Sequence, residues 1–242
     1  MSEPAIFDVD RLDLSFTPRP WPFAEERRAE IDAFFAARQR ETPALWNGRV
    51  LLLYRHAFKD GVLQGDYFET DYASFLAWRR WAPPDTGVRD CFGATALISA
   101  DGAVLLGVMG GHTANAGHIY FPAGTPDPSD VAGGKVDLAF SVARELKEET
   151  GVDMSELAVA PGWTVVADGQ LIVAVRTLRS PIAADALRVR ILNHLGTEQR
   201  PELADIRIVR GPSDFEPAMP RFVTAYLARF FTGGLAPRPA SA

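Results

Sequence analysis

Three glutamates set at i, i+3 and i+4 constrain this chain more than any other feature. Glu145, Glu148 and Glu149 lie in the stretch Arg144-Glu145-Leu146-Lys147-Glu148-Glu149-Thr150-Gly151-Val152. On an α-helix these positions share one face, a turn apart. Like charges so placed cost a helix roughly 0.2–0.5 kcal/mol per pair, so something must offset them. Leu146 supplies a core anchor, Gly151 can take the left-handed conformation that ends a helix, and Val152 starts a new apolar segment. A lone Glu-x-x-Glu-Glu would read as a solvated helix face; Arg144, Leu146 and Gly151 set this one apart. A divalent cation is the natural counter-charge, and hard oxygen ligands suit Mg²⁺ or Mn²⁺.

The surrounding pattern alternates strands and helices. Residues 1–20 read as extended, and 23–40 as a helix with Ile31, Phe34 and Phe35 on one side. Segments 49–55 and 61–69 suit a hairpin, and Tyr72 to Trp81 a helix stopped by Pro83-Pro84. Strands follow at 91–99 and 104–108 around Ala100-Asp101-Gly102, then a Gly/Asn-rich loop and a short strand at 118–121. The glutamate helix spans 138–150. A second hairpin turns at Asp168-Gly169, a helix runs from Pro181 to Gly196, a strand covers 206–209, and an amphipathic helix covers 217–231. This order predicts an α/β fold with a mixed sheet between helices. The expected division is an N-terminal extension at 1–88, a main domain at 89–235 and a disordered tail at 236–242.

The glutamate stretch resembles the second half of the Nudix box, Gly-x5-Glu-x7-Arg-Glu-U-x-Glu-Glu-x-Gly-U, with U aliphatic. Arg144, Glu145, Leu146, Glu148, Glu149, Gly151 and Val152 all match. Phe121-Pro122-Ala123-Gly124 resembles its opening, but six extra residues fall between Gly124 and Arg144, within 125–134. The position of the first acidic residue holds Val136; Asp137 is adjacent and reads better as a helix N-cap. The resemblance covers roughly residues 89–231 and implies a Nudix-type α/β/α sandwich. It implies that Glu145, Glu148 and Glu149 bind Mg²⁺ or Mn²⁺, that Arg144 orients them, and that Gly124 lets its loop bend close to the metal. The implied activity is hydrolysis of the pyrophosphate bond in a nucleoside diphosphate linked to another moiety: a nucleotide sugar, ADP-ribose, coenzyme A or a dinucleotide. A ligand-binding or regulatory module on the same fold is the alternative, fed by the missing first acid.

Other candidates are weaker. Glu198 and Glu202, in the loop before the 206–209 strand, are acids that can reach such a site, though each alone also reads as a surface residue. His112 and His118 flank a loop expected to line the pocket. Trp78 and Trp81, beside Arg79-Arg80, have the helical spacing of core residues. Gly133-Gly134-Lys135 fails as a P-loop, since Val136 stands where Ser or Thr is needed. A single cysteine, Cys91, excludes an internal disulfide and reads as a buried structural thiol. Net charge of −6 gives no case for nucleic-acid binding. The N-terminal residues carry no long apolar run, so the expectation is a cytoplasmic protein without a membrane span. Aromatic-rich helices at both ends suit a homodimer and a monomer core equally.

Overall fold

The computed structural model describes residues 3–83 and 87–233. The chain opens with β1 (Ala5–Val9), β2 (Arg11–Phe16), α1 (Pro22–Glu26), α2 (Arg28–Glu41), β3 (Arg49–Lys59), β4 (Val62–Asp71) and α3 (Tyr72–Trp81). It continues through β5 (Asp90–Ile98), β6 (Val104–Met109), β7 (Ile119–Tyr120), β8 (Ala123–Gly124), β9 (Val131–Ala132), β10 (Lys135–Val136) and α4 (Leu138–Thr150). The last third holds β11 (Ala158–Val159), β12 (Trp163–Asp168), β13 (Leu171–Arg179), α5 (Ala184–Leu195), β14 (Leu203–Val209) and α6 (Arg221–Phe231). The single helix expected over 23–40 is broken at Arg27, whose backbone (φ −110°, ψ 19°) leaves the helical region.

Two sheets form. The larger has nine strands along the path β1-β12-β13-β5-β6-β14, with β7, β8 and β11 as short additions. It is mixed, because β13 runs parallel to β5 while the other pairings are antiparallel. The smaller follows the order β3-β4-β2-β10-β9. Helix α6 covers one face of the large sheet, packing Val223, Tyr226 and Leu227 on Phe121, Val166, Val173 and Val175. On the other face lie α5 with Leu146 of α4, and next to them Leu138 and Val142 of α4. The expected mixed-sheet α/β/α sandwich is therefore what this chain forms.

The small sheet is covered on both sides, which explains the unbroken apolar run Val50-Leu51-Leu52-Leu53. Leu51 and Leu53 face inward with Leu14, Leu63 and Tyr67 toward α4; Val50 and Leu52 face outward with Phe68 against Phe75, Trp78 and Trp21. Trp78 is core, as its spacing predicts. Cys91 is fully buried, and burial pushes its thiol up to about 12, so it stays protonated and structural.

The expected boundary at residue 88 does not separate the two sheets. β1 pairs with β12 from Ala5↔Ala167 to Val9↔Trp163, so the first strand of the chain closes an edge of the large sheet. In return, β9 of the 125–134 insertion and β10 just after it join the small sheet, Lys135 opposite Ser15. Both crossings satisfy backbone groups that an open edge would leave bare. The tail at 236–242 lies outside the described residues.

Candidate active site

Helix α4 is fixed at both ends by local chemistry. Asp137 is its N-cap, accepting hydrogen bonds from the Ala139 and Phe140 amides at 3.0 Å each. Gly151 ends it with φ 69°, its N–H donating to the Lys147 carbonyl at 2.9 Å. Leu138, Val142 and Leu146 pin one stripe to the core. The glutamates then take three different environments. Glu148 is 62% exposed, Glu145 12% exposed, and Glu149 is buried.

Arg144 ties the helix to the inserted loop. One guanidinium nitrogen lies 3.2 and 3.1 Å from the two carboxylate oxygens of Asp130. The other reaches Glu145 at 2.7 Å and Glu148 at 3.6 Å. Partial burial works against the arginine's charge, but Glu145 and Asp130 more than offset it and raise its pKa. Asp130 itself is buried. It is held by a reciprocal cap: Asp127 accepts from Ser129 N–H at 2.7 Å, and Asp130 accepts from Asp127 N–H at 3.0 Å. The Val136 position expected to be acidic is apolar and buried, and Asp130 supplies the carboxylate to Arg144 instead. Asp127-Pro128-Ser129-Asp130 carries a capping pattern in the sequence, but nothing local reveals its partner.

Gly124 sits against Glu145. A Cβ added there would overlap the Glu145 carboxylate, so any other residue at 124 would push that carboxylate aside. Beneath this contact both carboxylate oxygens of Glu149 are buried without a hydrogen-bond partner. The Ala123 amide lies near enough to favour the charged form slightly, short of hydrogen-bond geometry. Burial first, then Glu202 and Glu145, push the Glu149 carboxyl well above its ordinary range. Burial raises Glu145 to about 7, with Arg144 opposing and Glu148 and Glu202 adding to the rise.

Glu202 thus couples electrostatically to Glu145 and Glu149, whereas Glu198 is engaged elsewhere. Glu202 is solvent-exposed, but the surrounding walls desolvate it enough to raise its pKa, while His112 pulls it back. The Gly110 amide donates to the Glu202 carbonyl at 2.8 Å, stitching its loop to the His112 loop. Glu198 instead pairs with His194 at 3.1 Å, beyond the end of α5. The two loop histidines part company. His112 faces an open cleft of about 750 Å³ between the small sheet, the insertion and Glu202, whereas His118 lines a separate pocket of about 300 Å³. Thr125 walls both.

The donors suit a hard divalent cation. They are all carboxylates, and Glu149 holds two orphaned oxygens. Among the described residues no three His, Cys, Asp or Glu side chains stand converged as a finished cage. Closing round an ion takes rotamer changes, which the flexible Glu side chains allow. Glu145 and Glu149 are the shielded carboxylates, whereas Glu148, which Arg144 draws to the rim, and Glu202 are exposed.

No protein-family model matches the chain, and no curated protein matches it. Among solved structures it is similar to a Nudix hydrolase from M. smegmatis, RenU, at 15% identity, over 62% of this chain and 88% of that one, with a TM-score of 0.37. It is similar to the MutT protein of Methanosarcina mazei Go1 at 17% identity, over 61% and 97%, with a TM-score of 0.39. A Bacillus subtilis pyrophosphohydrolase is similar at 11% identity, over 61% and 83%, with a TM-score of 0.34.

Proposed function

We propose that this chain is a divalent-cation-dependent hydrolase that splits the pyrophosphate bond of a nucleoside diphosphate linked to another moiety. The observation that carries the reading is Glu149, buried beside Glu145 and Glu202 with both oxygens unpartnered. Desolvated carboxylates pressed together are unfavourable in a resting fold and make sense as a cation seat. Glu145 and Glu149, with Glu148 at the rim, would hold Mg²⁺ or Mn²⁺. A bound ion there would neutralise phosphate oxygens and lower the pKa of an attacking water. Arg144 positions Glu145 through the 2.7 Å contact while Asp130 fixes the guanidinium from behind. Gly124 keeps the floor low enough for phosphates to approach. Glu202, exposed and raised, is the carboxylate best placed to accept a proton from solvent-side water.

A panel of nucleotide sugars, ADP-ribose, coenzyme A and dinucleotides, assayed with and without Mg²⁺, tests this. The expected result is cation-dependent release of two products, each keeping one phosphate of the broken pyrophosphate. The second reading, a module that binds such compounds without turning them over, draws on the open carboxylate geometry. Tight binding with no product at any metal concentration would favour it.

A further inference from the structure

The smaller pocket beside Gly124 holds a feature that phosphate chemistry leaves unused. Asp90, at the start of β5, lines it and is almost wholly buried. Its Oδ1 has no hydrogen-bond partner, and its Oδ2 lies 3.9 Å from the Arg79 Nε, too far for a hydrogen bond. Buried polar atoms are normally satisfied, so this carboxylate lacks a donor. Phe92 and Phe222 wall the same pocket, edge to face at 6.2 Å and 88°.

We propose that this pocket seats the nucleobase of the substrate, with Asp90 accepting an N–H of the base and Phe92 and Phe222 walling its ring. The inference rests on the hydrolase reading and names the part of the substrate that reading leaves open. Three observations choose a base over a phosphate. A carboxylate at the bottom of the pocket repels anions. Both pocket arginines face carboxylates, Arg79 toward Asp90 and Arg221 toward Asp168 at 3.4 Å. The volume, about 300 Å³, is at the lower end for ligand pockets and suits one compact planar group. Position agrees as well. Gly124 forms part of the wall and lies directly over Glu145, so a base seated here directs its diphosphate onto the carboxylate cluster. Arg79 comes from α3, which brings an element from before residue 88 into the specificity pocket.

The test uses free nucleosides without divalent cation, so that binding is read apart from turnover. Adenosine, guanosine and cytidine are titrated against the full chain by saturation-transfer NMR, with purine riboside as a control that lacks both exocyclic amine and ring N–H. At least one amine-bearing nucleoside is expected to bind, with purine riboside at least about tenfold weaker, because a site built around a hydrogen bond rejects the analogue lacking it. Asp90→Leu, which removes the acceptor, should weaken binding at least about tenfold at a melting temperature that does not fall, and Asp90→Asn, whose amide oxygen still accepts, should keep more of the binding, while Glu149→Gln leaves nucleoside binding intact. Absence of binding by all three nucleosides, or equal binding by Asp90→Leu, overturns the proposal even if the diphosphate panel is hydrolysed. Nucleoside binding that depends on Asp90, without any hydrolysis, keeps the pocket and removes the hydrolase reading.

Discussion

At the scale of single residues, Glu149 concentrates the electrostatic stress of the molecule. Replacing it by Gln keeps its shape and removes the charge. Turnover at limiting Mg²⁺ should fall at least about 100-fold, as expected for a lost cation ligand, while the cation-free protein gains thermal stability; unchanged turnover in a steady-state assay would remove the proposed role. The pH dependence carries the same signature. Glu145 is raised from 4.5 to about 7 in the fold, so the native state binds more protons than the unfolded chain across that window. Stability contributed by the protonated carboxyl is full below about pH 4.5 and is lost as pH rises toward about 7. The melting temperature without cation should fall over that interval. Mg²⁺ should flatten the fall, and Glu145→Gln should flatten it without Mg²⁺. Gly124→Ala makes a steric prediction: its Cβ displaces the Glu145 carboxylate, so the apparent Mg²⁺ affinity read from activity titrations should weaken at a nearly unchanged melting temperature.

Among elements, α4 and the insertion before it show what was legible and what was not. The helix was readable at 138–150 because its signals are local: Asp137 to cap, leucines and valine at core spacing, Gly151 to stop. The insertion reads only as extra length. Its β9–β10 hairpin exists because β2 offers an edge, and its Asp130 matters because Arg144 lies across the turn, 14 residues on. Asp130→Asn leaves the arginine with a neutral partner inside the fold. We expect a stability loss of about 1–3 kcal/mol, measurable as a lower urea midpoint, since the partly buried guanidinium loses one of its charged partners and keeps Glu145 and Glu148 close by. Activity should drop with it, because Arg144 would then hold Glu145 less firmly. The choice between Glu198 and Glu202 was likewise open in sequence. The Gly110 amide, donating to the Glu202 carbonyl, holds Glu202 beside the His112 loop, whereas His194 takes up Glu198.

On the scale of the whole molecule, the N-terminal third is part of the same construction. β1 closes the large sheet, Leu51, Leu53 and Tyr67 pack toward α4, and Arg79 enters the small pocket. A chain beginning at residue 89 would bare the edge of β12 and the apolar side of α4. It should lose fixed tertiary packing, seen as a lost near-ultraviolet circular dichroism signal and strong binding of a hydrophobic dye. A truncated chain with native spectra would show instead that the large sheet stands alone. Among the described residues no helix is long and apolar enough to cross a membrane.

Local order was written into the amino acids themselves. Turn residues, two- and nearly four-residue periodicities and caps act within a few positions, so the strands, helices and acidic stripe of α4 could be read directly. Which loop acid lies near enough to couple to Glu145 and Glu149, which carboxylate answers Arg144, and which strand closes the large sheet were decided by the tertiary structure. Those contacts join residues far apart in the chain, and they depend on how sheet edges pair and how layers stack, which no local pattern encodes.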